Sequence, residues 1–406
     1  MDFNDSPEEA AYRQQVREWL AANAPKTPLR DASGESAEGL VRARDWQARK
    51  AAAGYAQITW PKDWGGPGGT PIQSVIFGQE EAKYGLGSGY FSIGLGMCLP
   101  TVIAFADEAT RKRFVAPALR GDEVWCQLFS EPSGGSDLAG ARTRAIRDGD
   151  DWVINGQKIW TSGAHYSDYG ILITRTNMEA PKHKGMTMFW IDMKAPGVEV
   201  RPIHQMSGGS GFNEVFFTDL RIPDSQRLGP VDEGWKVSLV TLMNERSTVG
   251  GTMGVAWPEF MVYARTIPGA HTPTVLGDAA VREKIADWYV QTEGLKHIRS
   301  RTVTALSKGE TPGPESSITK VVVANQLQAL ALEAVELLDQ YGVINDPELA
   351  PAHGVFQGSL LSAAGLRIAG GSDEILRNII AERVLGLPGD IRLDKDVAFK
   401  DIPTGR

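Results

Sequence analysis

The spacing of apolar positions changes character twice along the chain. Up to about residue 120 it is mostly helical. Ser6-Pro7-Glu8-Glu9 reads as a capping box with proline at the first helical position, and predicts a helix to about residue 22. A charged helix is predicted near 39–53. The stretch ITWPKDWGGPGGTP (58–71) is too rich in glycine and proline for helix or central strand, and more helix follows as far as Arg120-Gly121-Asp122. Residues 124–230 alternate instead, with turn signals at Asp148-Gly149, Asn155-Gly156 and Pro196-Gly197. TMFWIDM (187–193) and EVFFTDLRI (214–222) read as strands. From Trp235 the helical period returns, predicting helices at about 237–264, 279–308, 315–341, 357–368 and 373–385 with short connections, as in an antiparallel bundle. The tail after Gly389 is polar and is expected to lie on a surface. The pattern predicts an α+β multidomain chain: a helical domain at 1–123, a β domain at 124–234 and a helical bundle at 235–406. Helices, then strands, then helices exclude a sheet of alternating β-α units.

Composition narrows the function. Hydrophobic residues make up 42% of the 406, enough for real cores. The net charge of −8, without a basic block, argues against nucleic acid or an anionic membrane as partner. Two cysteines, Cys98 and Cys126, give neither a disulfide framework nor a metal pattern. The acidic start MDFNDSPEEA has no signal-peptide character, and no apolar run reaches membrane length. A soluble cytoplasmic protein is the expectation. Dinucleotide-binding, P-loop, nucleophile-elbow and zinc motifs are absent, so no metal is expected.

Three segments carry candidate chemistry. WCQLFSEPSGGSDLAGARTRA (125–145) joins an apolar strand to a turn whose Gly134 and Gly135 let backbone N–H groups approach a ligand. INGQKIWTSGAHYSD (154–168) sets Trp160 beside Thr161 and Ser162, an aromatic plane with hydroxyls suited to a flat heteroaromatic ligand. GGSDEILRNIIAERVLGLP (370–388) offers Ser372 as N-cap of a helix start that favours an anionic group. Each has a plainer reading: an ordinary loop, a core tryptophan, a capped helix.

Taken together, SEPSGGSD, INGQKIW, GSDEILRNIIAERVLG and the earlier WPKDWGG resemble the hallmarks of the acyl-CoA dehydrogenases, in order and at matching spacing from about residue 8 to 390. The resemblance implies an N-terminal helical domain, a middle β-barrel domain and a C-terminal four-helix bundle. It implies FAD as cofactor, an acyl-CoA thioester as substrate and electron-transferring flavoprotein as electron acceptor. By motif position Gln127, Phe129, Ser130, Gly135, Ser136, Trp160, Thr161 and Ser162 should line the flavin or thioester, while Ser372 and Glu374 should sit near the FAD phosphates or adenylate half.

In this family a glutamate removes the α-proton while hydride leaves Cβ for flavin N5. In many members it opens an E-G-[ST] motif before the last helix, and here that position is Gly370. A second arrangement puts it on the first bundle helix beside an arginine, which VTLMNERSTVGG (240–251) matches at Glu245 and Arg246. At about 100° per residue, Leu239, Leu242, Met243, Gly250 and Met253 share an apolar stripe with Arg246 near its middle. Glu245 falls on the stripe's edge, in a row with Ser238, Thr241, Thr248 and Thr252. Glu245 is thus the expected base, with Arg246 organising the site. The plainer reading is a structural Glu–Arg feature.

The resemblance frays where a neighbouring subunit normally completes the flavin site. Arg265 stands without the Phe-Gly of R-x-x-F-G, and DQYGVIND (339–346) replaces a Gly-Gly-x-Gly turn. A homodimer or homotetramer is expected, with a heterotetramer of unlike chains as the other arrangement. Two readings compete with the dehydrogenase: a flavin oxidase or monooxygenase on the same fold, and a silent or half-site acyl-CoA-binding subunit. The acyl chain class is not legible.

Overall fold

The computed structural model describes residues 5–27, 29, 36–86, 89–248, 255–308, 313–389, 391 and 393–403, with the side chains of 245–248, 306, 307 and 316 outside that description. It divides into two compact units, one running Asn4–Thr248 and taking in Asp390–Arg406, the other Val249–Gly389.

The first unit opens with α1 (Pro7–Asn23), α2 (Ala37–Ala52), α3 (Pro71–Ala82), α4 (Leu99–Phe105) and α5 (Glu108–Arg120). The capping box of α1 forms: Glu9 N donates to Ser6 Oγ at 3.2 Å and Ser6 N to the Glu9 carboxylate at 2.8 Å. Thr70 and Gln73 build a second box at α3. Glu80 of α3, 2% exposed, accepts from Arg13 and Arg17 of α1, each at 3.0 Å, and so bolts the two helices together. A π turn at Gly94–Cys98 leads into α4.

The strands follow: β1 (Trp125–Leu128), β2 (Arg144–Asp148), β3 (Asp151–Ser162), β4 (Tyr169–Arg175), β5 (Met186–Asp192), β6 (Val198–Pro202), β7 (Phe212–Pro223) and β8 (Arg227–Leu228). They form one sheet in the order β6-β7-β3-β2-β4-β5-β8, with β1 parallel to β4. The two strands expected at 187–193 and 214–222 are β5 and β7. Side chains alternate between two buried faces. Trp125, Ile171 and Ile173 join the helices' core, while Cys126, Leu128 and Leu172 pack with Ile154, Phe189 and Val215 on the other side. Cys98 and Cys126 are both buried and free. This unit ends with α6 (Gly234–Thr248).

The second unit holds α7 (Trp257–Ala264), α8 (Ala279–Ser307), α9 (Ser316–Glu336), α10 (Val355–Ile368) and α11 (Asp373–Ile379) around a core of Phe260, Tyr263, Trp288, Leu330 and Phe356. The single helix expected at 237–264 is two. Ala256 is extended (φ −124°, ψ 177°) and Pro258 lies in the first turn of α7, where its missing N–H costs nothing. The helix expected to reach 341 ends at Glu336, and Asp339 takes a φ of 50°. The tail lies on the surface of the first unit as expected, with one residue, Phe399, buried in it. Among the described residues no helix is long and apolar enough to cross a membrane.

Candidate active site

The first two motifs meet on the sheet. β1 ends at Leu128, and Ile159 N of β3 donates to Ser130 O at 2.9 Å, so the turn after β1 lies against the end of β3. There β3 slips register against β7 between Lys158 and Thr161, a bulge that re-aims side chains. Trp160, inside the bulge, has φ 61° and is 55% exposed, so it is no core tryptophan. Thr161 is buried and its Oγ1 has no hydrogen-bond partner among the described residues. Asn213 Nδ2 donates to Thr161 O at 2.9 Å, pinning the bulge from β7. Gln127 and Ser130 are partly buried, and Gly135 and Ser136 are exposed.

One expectation needs correction here. Gly134 N donates to Glu131 O at 2.9 Å, so that amide closes the turn and does not face a ligand. Phe129 is 5% exposed and packs in the core shared with the helices. A Cβ at Gly135 would meet only the Ser130 side chain, its Oγ at 3.5 Å, so packing among the described residues does not require glycine there.

Sequence reading missed the anchor of this loop. Glu131 is 6% exposed and accepts from Arg142 N at 2.6 Å, Thr143 N at 2.8 Å and Lys158 Nζ at 2.8 Å. Lys158, fully buried, also donates to Phe129 O at 3.0 Å. Burial opposes the charge on Glu131, but Lys158 and the two amides outweigh it and hold the carboxyl below its usual range. The signal was present: Glu131 stands in SEPSGGSD and Lys158 in INGQKIW, so the two motifs carry the halves of one buried ion pair.

In the second unit Ser372 caps α11 through Ile375 N, at 3.4 Å. Asp373, 2% exposed, accepts from Arg367 Nε at 2.8 Å and Asn325 Nδ2 at 3.1 Å, while its Oδ1 is unpartnered. Burial would raise its pKa, but those donors prevail and lower it. Lys320 Nζ donates to Gly371 O at 2.7 Å. Glu374 is exposed beside an open pocket of about 260 Å³ lined by Gln328, Ala364, Arg367, Ile368 and Asp373. Gly370 and Gly371 have φ of 64° and 91°, the left-handed conformations glycine adopts without strain.

Glu245 and Arg246 fall within α6, and their side chains lie outside the described residues. The helix up to that point corrects the expected burial. Leu239 and Met243 of the apolar stripe are 41% and 64% exposed, whereas Ser238 and Thr241 are fully buried. Their hydroxyls are satisfied: Ser238 Oγ donates to Gly234 O at 2.9 Å, and Thr241 Oγ1 meets Thr101 Oγ1 at 2.7 Å. Thr101 Oγ1 gives its one proton to Met97 O at 3.0 Å, so Thr241 donates to Thr101. Positions 238 and 241 lie seven and four residues before 245, on the same helical row.

Three family models match the chain: acyl-CoA dehydrogenase N-terminal domain at 6–122, middle domain at 126–220 and C-terminal domain at 232–385. Acyl-CoA dehydrogenase IpdE1 of Mycobacterium tuberculosis is 36% identical over 394 residues, covering 94% of this chain and 98% of the relative. Acyl-CoA dehydrogenase FadE34 of the same organism is 34% identical over 84% of this chain, which spans only 46% of that longer relative. A solved structure described as "Tcur3481-Tcur3483 steroid ACAD" is similar at TM-score 0.78 and 26% identity, over 96% of this chain and 100% of that one. The chain belongs to the acyl-CoA dehydrogenase family, flavoprotein oxidoreductases of lipid catabolism, and its cofactor is FAD. The cradle fits such a group: an exposed indole, an unpartnered buried hydroxyl beside it at Thr161, and an open glycine tip at Gly135.

Proposed function

We propose that this chain catalyses α,β-dehydrogenation of an acyl-CoA thioester with Glu245 as the base. The observation that carries the reading is the buried hydroxyl row of α6, Ser238 and Thr241, which leads along the helix to position 245. Gly370 carries no carboxylate to compete for the role. Gln127, Phe129, Ser130, Gly135, Ser136, Trp160, Thr161 and Ser162 would hold the flavin half, and Ser372 and Glu374 the phosphate and adenylate half. Bound FAD supplies the acceptor for the hydride that leaves Cβ. Glu245 takes the α-proton as general base. Arg246 and Ser136 hold the substrate. Electrons then pass to electron-transferring flavoprotein.

The matched segments support the division into domains at 1–123, 124–234 and 235–406 as far as residue 385, where the third match ends. Two buried, unbridged cysteines fit a cytoplasmic setting. The steroid description of the similar structure favours a ring-bearing thioester, and the two chain names it joins favour a heteromeric assembly over a homodimer or homotetramer. The second reading, a half-site subunit, rests on the same point together with the missing R-x-x-F-G.

The test is the flavin content of the purified chain and its anaerobic spectrum against straight, branched and steroid-derived acyl-CoA thioesters. Flavin at about one per chain and bleaching by one class support the dehydrogenase. A colourless chain that gains flavin only with a co-expressed relative supports the half-site subunit, and rapid reoxidation in air supports an oxidase.

A further inference from the structure

We propose that Phe399, in the tail beyond the last helix, is a positioning residue for the flavin-facing loop, acting through Arg175 and Arg142. The proposal rests on the reading that residues 127–136 meet the flavin. The loop from Phe129 to Thr143 has two anchors. Glu131 holds one side, as described above. Arg175, at the end of β4 and 1% exposed, holds the other: its guanidinium donates to the carbonyls of Ala139 and Ala141, and to Lys182 O at 2.7 Å.

Arg175 is a buried cation that forms no direct ion pair among the described residues, and the carboxylates of Glu131, Asp137 and Asp232 act on it only from a distance. Burial lowers its pKa to about 10. Those carboxylates do not touch the guanidinium, and its open face is covered by an aromatic ring. Phe399, 2% exposed, places its ring centroid 3.8 Å from the Arg175 guanidinium carbon and 5.1 Å from that of Arg142. Arg142 is itself a loop residue whose amide binds Glu131. The tail is held in register by Phe399 N on Ala180 O at 2.9 Å and Lys400 N on Met178 O at 3.0 Å. Asp394 meets Lys182 Nζ at 2.6 Å, and the same ammonium reaches Asp137 of the loop at 3.2 Å. The tail therefore touches the groups that hold the loop at Arg142, Arg175 and Asp137, and it lies beyond residue 385, where the family match ends.

Without the ring, water reaches the guanidinium and competes for it with the loop carbonyls. The loop then loosens at the exposed tip, Gly135 and Ser136, while the sheet beneath it is untouched.

The test uses the full chain with Phe399→Leu, which keeps apolar cover but no ring, Phe399→Tyr, which keeps the ring, and Asp394→Asn at the tail's polar tie. FAD affinity of the apoprotein is titrated, alongside the visible flavin spectrum and the apoprotein denaturation midpoint. The expected result is a loss of FAD affinity of about tenfold in Phe399→Leu and parental affinity in Phe399→Tyr, with midpoints near the parent's. Should Phe399→Leu fail to fold, Asp394→Asn carries the test, with a smaller loss expected. Parental FAD affinity in both Phe399→Leu and Asp394→Asn overturns the proposal and leaves the functional reading standing. A parent chain that takes up no FAD overturns that reading, and the proposal with it.

Discussion

Trp160 shows how much of one residue's role lies outside its own sequence neighbourhood. Its left-handed backbone costs a non-glycine residue roughly 1–2 kcal/mol, and its ring is more than half exposed. Strain and exposure together make sense if the ring serves a ligand. Trp160→Gly should therefore change apoprotein stability by less than ~1 kcal/mol, as strain relief offsets the lost contact with Phe212, yet weaken FAD binding about tenfold. Denaturation of the apoprotein and a FAD titration check both halves. Thr161→Val removes a buried hydroxyl that has no partner among the described residues. It should raise apoprotein stability by about 1 kcal/mol and lower FAD affinity roughly threefold to tenfold, since one hydrogen bond to the ligand is lost. The aromatic-then-hydroxyl pattern was legible in INGQKIWTS. The bulge that presents it was not, because a bulge is a mismatch between two strands and its pin, Asn213, lies 52 residues on. The Glu131–Lys158 pair was missed for the same reason: each charge looks solvated until the strand that buries it is known.

Helix starts were the best-read elements because a cap is a local hydrogen bond. Ser6 and Glu9 decide the start of α1 without help from the rest of the fold. Helix faces were read less well. The apolar stripe of α6 looked like its buried side, but the side packed within its unit carries Ser238 and Thr241, whose hydroxyls are satisfied by Gly234 O and Thr101. Tertiary hydrogen bonds override a hydropathy pattern in this way. The α1–α3 junction allows a pH prediction. Burial alone would raise the Glu80 pKa, but Arg17, Lys83 and Arg13 outweigh it and bring it to about 2. A depressed folded pKa means stability that is present above the unfolded value of about 4.3 and lost as pH falls toward 2. Glu80→Gln should lower the denaturation midpoint at pH 7 and flatten its decline between pH 4.5 and 2. An unchanged acid limb would remove Glu80 as the clamp.

At the scale of the molecule, the order helices, strands, helices was legible because the two periods, 3.6 and 2, differ so clearly. The return of the tail was not, since DVAFKD (396–401) holds one apolar cluster too short to signal packing, and the ring of Phe399 finds its place only once β4 has brought Arg175 beneath it. The position of the base is the claim on which the proposed chemistry turns. It is tested most directly by anaerobic stopped-flow of the flavin absorbance, comparing the parent with Glu245→Gln against the thioester that bleaches the parent. The expected result is that the variant still binds the thioester, seen as a shift of the flavin band, but bleaches at least 10²-fold more slowly, the scale of a lost general base. Bleaching at the parental rate would contradict the assignment and move the base to another carboxylate.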